Sequence, residues 1–367
     1  MCGINDLCNK CEGKCKCKRA CDPYLPERPK HFKQKIVTWR VKYLVSNMYN
    51  HAAHYDENLV NPWGIVVANN EIWVTNSSSN LMTSYDLHGN KLYAPVQVRD
   101  NGQNSAFPTG LTVNCTGGFS VSNGRISHAA FLVNTMRVGT VHVYSRKINE
   151  TKSYLVINQD LGGEVVIYKG CVIAGCFLYC ADFYNRKIDV FDENYNLQSA
   201  FPFVDNDITD PIPLDYGPNN IAHIGCYLYV SYAKQVPDIP FESMMGPGNG
   251  YISVFNLDGT FVRRFHSKGV LNDPWAMIPA PCECGLPKDG VIVGNHGDGT
   301  INIFNCAGEF CGKMLGPAGI PICIEGLWGL ATYYKCNNEI FFCSSPDFEN
   351  NNEGLLGSII VDQVLHV

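Results

Sequence analysis

Asn61–Asn76 reads NPWGIVVANNEIWVTN: a Trp between Pro and Gly, an apolar run, a two-residue turn, and a second apolar run that ends in Asn. Both runs favour extended backbone, and Asn69-Asn70 between them is turn chemistry, so the stretch predicts a β-hairpin. The pattern returns at Asp273, as DPWAMIPAP followed by GVIVGN, and at Gly326, as GLWGLATYYKCNNEIFFCSS. A hairpin that recurs in register is a repeat unit, and its period decides the architecture.

Weaker copies fill the gaps. The anchors run Trp63, Thr109 (FPTG), Lys169 (YKG), Asn220 (PNNI), Trp275 and Trp328, about 53 residues apart on average. Each is followed by a second strand (EIWVTN, AAFLVN, FLYCADF, YLYVSYA, GVIVGN, EIFFCSS) and by a third that tends to close on a Gly-containing turn, as in LMTSYDLHGN and YISVFNLDGT. No segment sustains a helical period. Six units of about four strands predict an all-β, six-bladed β-propeller. The sixth unit ends after its third strand, GSIIVDQVL, while KIVTWRVKYLVS (Lys35–Ser46) stands before the first anchor without a blade of its own. The N-terminal strand is therefore expected to complete the last blade, which closes the ring and removes an open sheet edge. Trp63, Trp275 and Trp328 are expected to pack between blades, with the neighbouring glycines letting backbones approach.

Composition agrees. Charged residues make up only 17% of the 367, against 34 Gly and 20 Pro, a profile of strands and turns rather than of a helical bundle. No run of about 18 apolar residues predicts a membrane span, and MCGINDLCNKCEGKCKCKRACDP lacks the apolar core of a secretory signal peptide. Residues 1–42 hold eleven Lys and Arg against four Asp and Glu, so this segment carries +7 and the remainder −13 of the net −6. An acidic body disfavours nucleic acid as the propeller's partner; the basic tail leaves nucleic acid, an anionic surface or an acidic protein face open. The organisation expected is a Cys-rich basic tail with a Pro-rich linker over 1–34 and the propeller over 35–367.

LVNPWGIVV, YKGCVIAGCFLYCADFYNRKIDVFD, LYVSYAKQ, GNGYISVFNLDGTFVRRF, LNDPWAMIPAP, VGNHGDGTINIF and IEGLWGLA follow one another from about Leu44 to the C-terminus. In this order and spacing they resemble the bacterial TIGR03118 family, an uncharacterised group of NHL-like β-propellers. The resemblance implies the fold and no established activity. The leader lies outside that family's pattern, and from the residues given neither an export signal nor a C-terminal sorting segment is expected. A Cys-rich leader on a β-rich body resembles, in composition, surface proteins of large amoeba-infecting DNA viruses, so a virion location is an expectation.

The second strands end in polar residues: Asn76, Asn134, Asp182, Ser231, Asn295 and Ser344, to which Lys169, Asn220 and Lys234 (in AKQ) add themselves as channel-facing candidates. Such a ring resembles the channel calcium site of six-bladed lactonase-type hydrolases, where the metal polarises a carbonyl and activates water; in that alternative His296 or Asp182 is the general base. Only Asp182 among the ring is a carboxylate, and Asx residues at strand ends mostly bond nearby backbone. Tyr184, Asn185 and Asp298 lie beside the ring in the same motifs. His51 and His54 (HAAH) have no third ligand nearby. The sequence carries no G-x-S-x-G elbow, and no Walker or dinucleotide loop. The long loop Val236–Gly250, with Phe241, Met244 and Met245, is read as a partner contact or a cover for the channel mouth.

Cys2, Cys8, Cys11, Cys15, Cys17 and Cys21 crowd the leader. Too short to bury a core, it needs zinc (Cys8 and Cys11 have C-x2-C spacing), disulfides, or crosslinks to another chain. In the body, Cys306 and Cys311 flank a turn where they would oppose each other, and Cys282 and Cys284 share one loop. The expectation is a non-catalytic binding or structural propeller, addressed or crosslinked to a protein partner or to itself through the tail; the calcium-dependent hydrolase is the alternative.

Overall fold

The computed structural model describes residues 35–98, 106–159, 163, 165–281, 285–333, 339–346, 350 and 352–366. The tail cysteines, and Cys282 with Cys284, lie outside these residues. Six antiparallel sheets succeed one another along the chain, each with its first strand innermost, and no α-helix occurs among the described residues. In the first blade Pro62–Ala68, Glu71–Asn76, Leu81–Asp86 and Val96–Gln97 pair in sequence order. The last blade is assembled from both ends of the chain. Leu327–Thr332, Glu339–Ser344 and Leu355–His366 are completed by Lys35–Ser46, whose register runs from Lys35 opposite His366 to Ser46 opposite Leu355. Trp39 on this strand is 1% exposed, and its N–H donates to Leu315 O at 2.8 Å. A short strand, His54–Tyr55, adds itself parallel to Val45–Ser46, which places HAAH at the outer edge of the last blade.

The inner strands touch around the axis because the anchor glycines have no side chain. A Cβ on Gly64 would lie 2.6 Å from Thr109 O, one on Gly110 2.7 Å from Cys171 N, and one on Gly329 2.7 Å from Trp63 O. No L side chain fits there without moving backbone, so the repeated Gly is a packing requirement. Asn220 departs from the expectation that it is an anchor. It pairs with Ser231 as Gly170 pairs with Ala181, so it occupies the glycine position, and Asn219 is the anchor. Its side chain fills the space above Gly170, and its Nδ2 donates to Trp275 O at 2.9 Å.

One hydrogen bond recurs in all six blades. The N–H of the residue at the top of the second strand donates to the carbonyl two or more residues before the anchor: Ser77 to Asn61, Arg137 to Phe107, Phe183 to Ile167, Gln235 to Asp215, His296 to Asp273 and Ser345 to Gly326, at 2.7–3.1 Å. It sets the register of every blade at one rim of the channel. Blade four departs: its inner hairpin, Tyr216–Ile224 with Tyr227–Val236, rises further at this rim, with Tyr216 opposite Lys234, and continues into Ile239–Ser243, which folds back on Gln235 and Val236. The turns at the opposite rim contain Cys176 and Cys226, both disulfide-bonded. Cys306 and Cys311 are free thiols, contrary to the cross-hairpin opposition expected, because Cys306 lies in the turn that Asn305 and Glu309 close.

Candidate functional site

The anchor position on the six innermost strands carries Trp63, Thr109, Lys169, Asn219, Trp275 and Trp328, and all six are buried. The aromatic members fill one side of the mouth. Trp63 stacks on Trp328 with ring centroids 3.5 Å apart, His296 also stacks on Trp328 at 3.7 Å, and Trp275 meets Trp328 edge-on at 5.9 Å.

Asp273, two residues before its anchor, is the polar centre. Its Oδ2 lies 2.9 Å from His296 Nδ1 and accepts from Ser243 Oγ at 2.8 Å, and its Oδ1 accepts from Asn219 Nδ2 at 2.8 Å. Burial by itself raises the Asp273 carboxyl; the hydrogen bond and charge of His296, the charge of Lys169 and the Ser243 hydroxyl outweigh it and hold the group below its ordinary value. Ser243 and His296 both address Asp273 rather than each other, so this is not a Ser-His-Asp relay.

Lys169 is 1% exposed, and its Nζ has no hydrogen-bond partner among the described residues. The ammonium sits 3.7 Å from the Phe183 ring centroid, a cation–π contact. Desolvation lowers its pKa to about 8, against the opposing pull of Asp273 and Glu242. Thr109, at the same level of the preceding blade, is satisfied: its hydroxyl reaches Thr135 O at 3.1 Å and Tyr168 O at 2.7 Å.

The Ile239–Ser243 hairpin is the cover. Ser243 ties it to Asp273, Glu242 pairs with Arg137 of blade two, and Met244 N–H donates to Lys234 O at 2.7 Å. The Arg137 guanidinium lies 5.8 Å from the Trp63 ring and 6.0 Å from Phe241. Phe241 and Met245 remain 38% and 41% exposed on its outer side.

The polar ring expected from strand ends takes a different place. Asn76 Nδ2 bonds Thr83 Oγ1 at 3.0 Å inside its own blade top, and Asn295 Nδ2 bonds Val270 O at 2.8 Å in the link from blade four to blade five. Asp182 accepts from Ile167 N, Asn185 N and Asn185 Nδ2, and its pKa is raised by burial, which these bonds only partly offset. Asn134 sits two residues below the counterpart of Asn76, because Met136 faces Pro108 as Asn76 faces Pro62. Lys234 pairs with Asp215 at 3.6 Å. These side chains do not fit a calcium cage: the one carboxylate is consumed locally, and among the described residues no three His, Cys, Asp or Glu gather in a metal-holding group. His51 and His54 belong to no such group either. The residues brought together at the mouth are instead one position further along each second strand, Arg137, Phe183 and His296, joined by Asp273, Glu242 and Ser243. His296 is already a candidate from the sequence; alternation along a strand sends neighbours to opposite faces, and counting on by one from Asp182 would have found Phe183 as well. A shallow groove formed by Gly117–Ser120 and Glu193–Tyr195 lies at the opposite rim, away from these groups.

No family model matches the chain. It is 49% identical over 366 residues to "Uncharacterized protein R648" of Acanthamoeba polyphaga mimivirus, an alignment that covers 100% of this chain, leader included, and 90% of the relative. It is 47% identical to "Uncharacterized protein L690" of the same virus, over 98% of each chain. Among solved structures, a catalytically inactive virginiamycin B lyase from Staphylococcus aureus with quinupristin superposes with a TM-score of 0.50 at 12% identity, over 88% of this chain and 100% of the other. That likeness is one of fold alone.

Proposed function

The chain belongs to the same family as these two mimivirus proteins, and from that premise we propose that it is a non-catalytic binding and structural propeller of a virus particle, tethered through its Cys-rich basic N-terminal tail. The observation that carries the reading is the channel mouth. It is filled by stacked aromatic rings and covered by residues 239–245, on which Phe241 and Met245 stay exposed, so it offers a preformed apolar surface. The opposed charges of the tail, +4 over residues 1–34, and of the body, −10 over residues 35–367, give a second reason: a basic tail reaches an acidic neighbour, including the body of another copy. The anchors NPWG, DPWA and LWG support reading the propeller as akin to the NHL-like TIGR03118 group. The test is to compare the full chain with one beginning at Lys35 in infected cells. Recovery of only the full chain in purified particles, released by reductant or by chelator, supports tethering through Cys8, Cys11, Cys15, Cys17 and Cys21 and separates crosslinks from zinc. Equal recovery of both chains refutes it.

A hydrolase is the second reading, favoured by one observation: His296 is oriented by Asp273, as a general base would be. Lactone or ester turnover that disappears in His296→Asn with the fold retained would establish it.

A further inference from the structure

We propose that Lys169 is a carbonyl-capturing amine: beneath the hairpin its Nζ condenses reversibly with a small neutral aldehyde or ketone to form an imine. The inference goes beyond the tethered-module reading and does not rest on the tail.

A buried ammonium is ordinarily paired or hydrogen-bonded, since leaving it bare costs several kcal/mol. Among the described residues Lys169 Nζ has no hydrogen bond, it is buried from solvent, and its close contact is the Phe183 face at 3.7 Å. Any apolar side chain of that length would pack there without the penalty. What the amine adds is nucleophilicity, because desolvation raises the fraction present as free amine near neutral pH; its pKa of about 8 expresses that.

Charge selects the ligand. Among the described residues of the mouth, Lys169 is the buried ammonium and Asp273 the buried carboxylate, whose three hydrogen bonds are already made. An anionic ligand would pair with Lys169 and hold it as the ammonium, which is not a nucleophile. A neutral carbonyl does not: the amine lone pair attacks the carbonyl carbon, the carbinolamine loses its oxygen as water, and the resulting imine takes up one proton. One carbonyl compound and one neutral lysine amine thus give one imine and one water, and the protonated product carries the same single positive charge opposite Asp273. Trp275 Nε1, at the anchor level two blades on, is a second buried donor without a partner, suited to an oxygen atom. The Trp63, Trp328 and His296 stack and the Ile239–Ser243 hairpin keep bulk water from reversing the condensation.

The test incubates the full chain with acetaldehyde or acetone and cyanoborohydride, then maps alkylated lysines by mass spectrometry over time. The control is Lys268, an exposed lysine whose pKa Asp210 raises. Lys169 is expected to be modified at least about tenfold faster than Lys268 at pH 7.5, with a rate that levels off just above pH 8. Glu242→Gln and Ser243→Ala, which loosen the cover, are expected to accelerate modification of Lys169 and leave Lys268 unchanged. Modification of exposed lysines with Lys169 untouched, in the wild type and in both cover variants, overturns the proposal; so does a Lys169 rate that keeps climbing above pH 10.

Discussion

Trp63 and Trp328 lie face to face, ring centroids 3.5 Å apart and planes inclined by 17°, across the seam where the first blade meets the last. The ring is thus closed twice, at the axis by this stack and at the periphery by the pairing of Lys35–Ser46 with Leu355–His366. Trp328 also carries His296 at 3.7 Å on its ring and Trp275 against its edge. Trp328→Ala removes all three contacts from a site 6% exposed, and a loss of about 3–5 kcal/mol is expected in urea unfolding, with Trp328→Phe losing less. A change under about 1 kcal/mol would mean that the seam is held elsewhere.

The peripheral closure is tested by truncation. A chain beginning at Lys35 keeps the whole closing strand and Trp39; one beginning at Asn47 loses both and leaves Leu355–His366 as a long unpaired edge. The first is expected to melt like the full chain and the second to aggregate or unfold, as followed by size exclusion and circular dichroism. A monomeric, cooperatively folded Asn47 chain would remove the closure argument.

Gly170 and Asn220 form a space-sharing pair across blades three and four. A Cβ on Gly170 would fall 1.9 Å from Asn220 Oδ1, while Asn220 holds the Trp275 carbonyl. Gly170→Ala is expected to cost about 1–3 kcal/mol, and Asn220→Ala to cost less. The double variant should recover part of the sum, because removing the amide makes room for the methyl group. Strict additivity would show that backbone, and not Asn220, refuses the Cβ.

These particulars also show what the sequence disclosed. The blades, the closing strand and the anchor tryptophans follow from hydrophobic period and turn residues, both local properties of the chain. Blade four hides its anchor because two extra residue pairs lengthen its inner hairpin, so Asn219 and not Asn220 is the anchor and Ser231 lies below the mouth. Asp273 was hidden for a different reason: it stands where the first blade has Asn61, in a position with φ of 49° that Asn and Asp both tolerate, and it became a charged centre only through Ser243, Asn219 and His296 arriving from elsewhere. Contacts of that sort have no period to detect.

The charge on Lys169 makes a pH prediction whose sign is fixed. Its pKa falls from an ordinary 10.5 to about 8 in the folded chain, chiefly through desolvation. Below pH 8 both folded and unfolded chains carry the ammonium, and the fold bears the whole cost of burying it, about 3 kcal/mol for a shift of this size. Between about pH 8 and 10.5 the folded chain gives up the proton while the unfolded chain keeps it, so the cost fades as pH rises. Lys169→Met retains length and a contact with Phe183 but carries no charge. The variant is expected to be more stable than the wild type at pH 7, by up to about 3 kcal/mol less whatever the cation–π contact contributes. The difference should shrink steadily between about pH 8 and 10. Taking the difference between variants removes the buried tyrosines, whose own titration above about pH 10 is common to both. A variant no more stable at pH 7, or a gap indifferent to pH, would mean that the Lys169 ammonium is satisfied in solution, and the case for a reactive free amine would fall with it.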